Sequence, residues 1–197
     1  MTNNTTSLLD KIAEAFEDAK IEVLAAVLTA KLTNQEALAK EFPTVLELCS
    51  IMLSLVKASG VDNGKMPDYL PQVLTYLYIN YRLLHGEIEA QLRLRRSKVQ
   101  QLCNNIINRN NTKAEQELQD IIKDVISNPI IAFLVKRYKE DKQKVITELE
   151  NIINKLDTNN PNEKQVKAIL LLLKAMLENP TQEQLTKLAE QVKQLLD

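Results

Sequence analysis

Glycine is nearly absent from this sequence, three residues in 197, and that scarcity excludes much. Phosphate-cradling loops of the GxxxxGK[ST] or GxGxxG kind need glycine where backbone must approach a ligand; neither motif nor a GxSxG elbow occurs. A nucleotide-dependent enzyme is therefore not expected. The single histidine, His85, leaves no means of assembling a His-based triad, a two-histidine zinc site or the paired Glu-x-x-His motifs of di-iron bundles. Cys49 and Cys103 stand far apart with no CxxC between them, so neither a disulfide framework nor a zinc site is indicated, and a reducing compartment fits. Charge of one sign is missing too. With 25 basic and 26 acidic side chains the net charge is -1, and nothing global attracts nucleic acid or an acidic membrane.

Long apolar runs are equally lacking. No unbroken run exceeds that of 168–173, far short of the ~20 residues a spanning helix needs. The amino terminus shows no basic stretch followed by an apolar core, so no signal peptide is read. The expectation is a cytoplasmic chain with no membrane span, no cofactor and no metal.

What remains is rich in Leu, Ile, Lys, Glu, Gln and Asn, a helix-forming inventory. The expected fold is all-α, an elongated bundle of about seven or eight helices around one long central helix. The whole of 1–197 is read as one domain, with 60–67 and a C-terminal helical hairpin over 161–197 as the places where it could divide.

Taken in order, Thr5, Thr6 and Ser7 offer N-caps. Ile12, Phe16, Ala19, Val23, Val27 and Ala30 then repeat at alternating steps of four and three, the spacing of one helical face, over a helix reaching about Leu32. Thr33 with Glu36 forms a capping box for a short helix stopped by Pro43. From Pro43 the chain is apolar on most sides until Gly60, which marks it for full burial. The stretch 60–67 is the one evident long turn. Later caps are Thr112 with Glu115, Ser127 and Asn128 before Pro129, the polar break 157–161, and Thr181 with Gln184.

The segment from Asp68 to Arg109 organises the rest. It holds four of the five tyrosines (Tyr69, Tyr76, Tyr78, Tyr81) and five of the six arginines. A continuous helix of its 42 residues would be about 63 Å long, longer than the diameter of about 40 Å for a compact globule of this chain length. Gly86 is where it could bend or where two helices could meet, and the reading leans to continuity with a bend because no proline lies between Gln72 and Arg109. At about 100° per residue, Leu74, Leu77, Tyr81, Ile88, Leu92, Val99, Leu102, Cys103 and Ile106 form a core sector. Tyr78, Arg82, Glu89, Arg93, Arg96 and Gln100 form a polar seam. Arg95 falls within the apolar sector, where its guanidinium must find a carboxylate, snorkel outwards or meet a partner.

Elsewhere, Glu14, Asp18 and Glu22 stack four apart with no basic neighbour on their stripe. A cation or basic partner could sit there, although a solvated face is the ordinary reading.

Two functions follow. The first is a non-catalytic assembly or interaction subunit presenting Tyr78, Arg82, Arg93, Arg95, Arg96, Lys98 and Arg109 to a protein partner or a second copy, since Tyr and Arg are what interfaces collect. The second is a nucleic-acid-binding helical protein with Arg82, Arg93, Arg96, Lys98 and Arg109 on phosphates.

Overall fold

The computed structural model describes residues 3–36, 40–109 and 111–197, with side chains for all of these except residues 3–6 and 109. Among the described residues the chain is all-helical, with α1 (Asn3–Thr33), α2 (Phe42–Ser59), α3 (Leu70–Arg93), α4 (Arg96–Arg109), α5 (Thr112–Ile126), α6 (Pro129–Lys155), α7 (Pro161–Glu178) and α8 (Gln182–Leu196). The caps explain most of these limits. Asn34 takes a left-handed backbone (φ 56°) and closes α1, and Gly60 (φ 72°) closes α2. Asn128 Oδ1 accepts from the N–H of Ile130 at 2.9 Å at the start of α6, and Asn160 Oδ1 accepts from those of Asn162 and Glu163 at the start of α7. The box of Thr181 and Gln184 opens α8 as the sequence indicates. At α5 the cap is one residue earlier than expected: Asn111, rather than Thr112, accepts from Lys113 and Ala114. Thr5, Thr6 and Ser7, expected as N-caps, lie instead within α1, which begins at Asn3. Thr33, expected to open a short helix, is the last residue of α1 and donates its hydroxyl to Ala30 O at 3.3 Å; among the described residues between it and α2 (34–36, 40 and 41) no α-helix forms, and 37–39 fall outside the described residues.

The segment expected to be one helix is two. Gly86 lies inside α3 without interrupting it, and the break comes instead at Leu94 and Arg95. Continuing α3 would place Arg95 on the face that buries Leu84, Ile88 and Leu92. One tightened turn, with the N–H of Arg95 donating to Leu92 O at 3.0 Å, moves it off that face before α4 begins. Leu94 is turned out to solvent in the process, 78% exposed.

By packing, the chain divides into two compact units: Met1–Thr29 with Leu83–Val135, and Ala30–Arg82 with Lys136–Asp197. The second unit is built on Phe42, Leu46 and Leu53 of α2, Leu70, Leu74, Leu77 and Tyr81 of α3, Tyr138, Val145, Leu149 and Ile152 of α6, and Val166, Leu170, Leu173 and Leu177 of α7. Each such side chain contributes on the order of 1.5–3 kcal/mol. Tyr81 stands edge-on to Phe42 and to Tyr138, with centroids 5.1 and 5.6 Å apart. The amide of Gln35 donates to Leu177 O at 2.7 Å, and α7 and α8 pack against one another.

Helix α2 is not buried all round, as its composition suggested. Leu48, Ile51, Met52 and Leu55 are exposed, because the neighbours in this unit cover only the face carrying Phe42, Leu46, Cys49 and Leu53. By length and composition alone it is a helix that could cross a membrane.

The first unit buries Ile21, Ala25 and Leu28 of α1, Leu84, Ile88 and Leu92 of α3, Val99 and Leu102 of α4, Ala114 and Val125 of α5, and Ile131 of α6. Helices α4 and α5 pack on each other.

Candidate functional site

Two features that the sequence gives no reason to join, the acidic stripe of α1 and the arginines after Glu89, meet within the first unit, and the i,i+4 pair of Glu89 with Arg93 forms there as its spacing predicts. The carboxylate stripe of α1 faces the arginines at the end of α3 and the start of α4. Arg93 donates from Nη1 to Asp18 Oδ1 at 3.1 Å and from Nη2 to Glu89 Oε1 at 2.7 Å, with Glu22 Oε1 at 3.7 Å. Arg96 Nη2 lies 3.0 Å from the same Asp18 oxygen. Gln100, with its amide oriented to satisfy both neighbours, donates to Glu17 Oε2 and accepts from Arg96 Nε, each at 3.1 Å. Glu89 and Asp18 together hold the Arg93 guanidinium even more firmly protonated than usual. The stripe's basic partner is thus supplied by the chain itself.

Arg95 and Lys98 at the same junction are also engaged. Arg95 reaches Asp124 of α5 and donates to Gln91 O at 3.1 Å, so of the three fates open to it the carboxylate is the one realised. Lys98 Nζ lies 3.1 Å from Glu117 Oε2. Arg93, Arg95, Arg96, Ser97 and Lys98 line an open groove with Leu94 and Ile121. Five carboxylates (Asp18, Glu22, Glu89, Asp124 and Glu117) answer these four cations, which leaves the groove without the excess positive charge a phosphate would seek.

Tyr78 and Arg82 belong to the second unit. Tyr78 is half-buried against its core, and the Arg82 guanidinium stands 5.9 Å from the Tyr78 ring centroid while remaining exposed. The Arg109 side chain lies outside the described residues. Within the first unit the structure therefore gathers Arg93, Arg95, Arg96 and Lys98 at one junction, and within the second Tyr78 and Arg82 form a cation–ring pair. Of the other tyrosines, Tyr81 is buried, Tyr76 is exposed, and Tyr69 donates its hydroxyl to Glu148 at 2.9 Å.

A different surface stands out on α1. Of the repeat on α1, Ile12, Phe16, Ala19, Val23 and Val27 lie on solvent, with Phe16 70% and Val23 62% exposed, while its last member, Ala30, is buried; Leu8 and Leu9 extend the exposed part. From Ser7 to Phe16 every residue is exposed, so that part of the helix is covered by nothing among the described residues. The buried face is the opposite one, Ile21, Ala25 and Leu28. The sequence signal was available: two apolar sets half a helical turn apart mean that one core can cover only one of them. A repeat of three and four does not itself choose which.

Among the described residues no group of three His, Cys, Asp or Glu side chains is arranged to hold a metal ion. No protein-family model, curated protein or solved structure matches this chain.

Proposed function

We propose that this chain is a non-catalytic assembly subunit, and that it meets its partner through exposed helical faces. The observation that supports this reading is the apolar face of α1, uncovered from Leu8 to Val27. A helix that leaves two leucines, an isoleucine, a phenylalanine and two valines in water on one side is stabilised by whatever removes them from it. Isolated helical segments of about 12–15 residues are marginal in water, so the stretch before Phe16 gains most from a partner. The stacked pair Tyr78 and Arg82 offers a second, smaller contact of the composition interfaces favour.

Association of the purified chain with itself or with a defined protein should weaken when Phe16 is replaced by Lys, while helix content is unchanged. A chain that remains a monomer across a dilution series, and from which crosslinking recovers no partner, removes the reading.

Nucleic acid is the second reading, and its phosphate set is Arg82, Arg93, Arg96, Lys98 and Arg109. Binding there requires phosphates to displace Asp18, Glu89 and Glu117 from three of those cations. It would weaken steeply with salt, and would lose affinity in the double variant Arg93→Ala, Arg96→Ala. Affinity that is flat with salt excludes it.

A further inference from the structure

Resting on the assembly reading, we infer that the occupant of the α1 face is a second copy of the same face, paired antiparallel about a dyad between Phe16 and Ala19.

Leu9, Ile12, Phe16, Ala19, Val23 and Ala26 follow one another at steps of three and four without interruption, the seam of a two-helix coiled coil. Their sizes alternate along the seam in a way that selects one direction. Run antiparallel, Phe16 meets the partner's Ala19, Ile12 meets the partner's Val23, and Leu9 meets the partner's Ala26. Each large side chain faces a smaller one, and the layers fill evenly. Run parallel, Phe16 would face the partner's Phe16 and Ala19 the partner's Ala19, one layer overfilled and the next empty.

Charge agrees with the antiparallel direction. Lys11 and Glu22 lie on the same flank of the face, about 100° and 80° from Ile12 in the same sense. In the antiparallel register each Lys11 comes beside the partner's Glu22, and symmetry makes the contact twice. Among the described residues Glu22 keeps only a long contact with Arg93, 3.7 Å, and it is 62% exposed, so it is open to a second cation. On the other flank Lys20 is held by Asn104 Oδ1 of its own chain, which draws that ammonium away from the dyad.

Coverage agrees as well. The uncovered half of one α1, residues 7–16, comes to lie along the half of its partner that is seated on Ile21, Ala25 and Leu28. Leu8, Leu9, Ile12, Phe16, Val23 and Val27 are 45–70% exposed and offer roughly 600 Å² per copy, approaching the ~800 Å² per partner of a standard interface.

The test is sedimentation of the full chain. The wild type should run at twice 22.4 kDa. Phe16→Lys and Ala19→Glu should each run as monomers with unchanged helix content, since both positions are exposed in the single chain. Mixing these two variants should restore the dimer. In the mixed pair the lysine introduced in one copy meets the glutamate introduced in the other, while the unaltered Ala19 and Phe16 meet as in the wild type; a parallel pairing gives no such rescue. A wild-type monomer, a dimer unmoved by either substitution, or a mixture that stays monomeric overturns the antiparallel pairing. The assembly reading falls with it only if the wild type is monomeric and crosslinking recovers no other partner.

Discussion

The hydroxyl of Tyr138 is buried with no hydrogen-bond partner among the described residues, and burial pushes its pKa upward, with Tyr81 adding to the effect. An unsatisfied buried hydroxyl is a net cost that the ring alone does not carry, so Tyr138→Phe should raise stability by about 1 kcal/mol, read as a higher urea midpoint. Glu163 is the converse case. It is 2% exposed, yet Lys65 Nζ lies 2.6 Å away and the N–H of Asp157 donates to it at 3.1 Å. Lys65, followed by the Asp157 N–H and Asn63, holds its carboxyl below the usual range against the opposing pull of burial. A depressed folded-state value means that the stabilisation is complete above the unfolded value of about 4.3 and is lost as pH falls through the lower, folded one. Glu163→Gln should therefore lower stability near neutrality and flatten its loss in acid, measured as denaturant midpoints from about pH 2 to about pH 6. Lys142 shows a third balance: burial lowers its pKa, while its ammonium donates to Thr33 O at 3.0 Å.

At the scale of elements, α3 and α4 show how one side chain sets a helix boundary. Glycine at 86 was the natural suspect, yet a single glycine costs only about 1 kcal/mol in a helix interior, less than burying an unpaired guanidinium. The helix runs through Gly86 and breaks where Arg95 would have entered the core. A Cβ at Gly86 would meet nothing within 4 Å, so Gly86→Ala should stabilise α3 by about 0.5–1 kcal/mol, seen as a raised thermal midpoint. At Gly60 the same substitution should destabilise, because φ is 72° there and a side chain is strained in that region. Capping residues and breaker prolines are local signals, and the helix ends at Gly60, Asn128, Asn160 and Thr181 were accordingly legible in the sequence. The break at Arg95 was not, since it arises from a contest between backbone regularity and a distant carboxylate, Asp124.

For the whole molecule, self-association makes apparent stability depend on concentration, since a second copy that binds only the folded chain draws the equilibrium towards it. The thermal midpoint of the wild type should rise on concentration, and that of Phe16→Lys should not; a calorimetric dilution series distinguishes the two. Composition and periodicity by themselves determined that the chain is all-α, that α3 and α4 would bury Leu74, Leu77, Tyr81, Ile88, Leu92, Val99 and Leu102, and where most helices begin and end. Those properties depend on near neighbours in the chain, spaced three or four apart, which the order of residues states directly. Only the tertiary structure decided that Asp18 is a counter-ion shared by Arg93 and Arg96, and which of the two apolar faces of α1 would be left in water. Both depend on what lies across from a helix, and a repeat of three and four is the same whether the surface opposite is the chain's own core or another molecule.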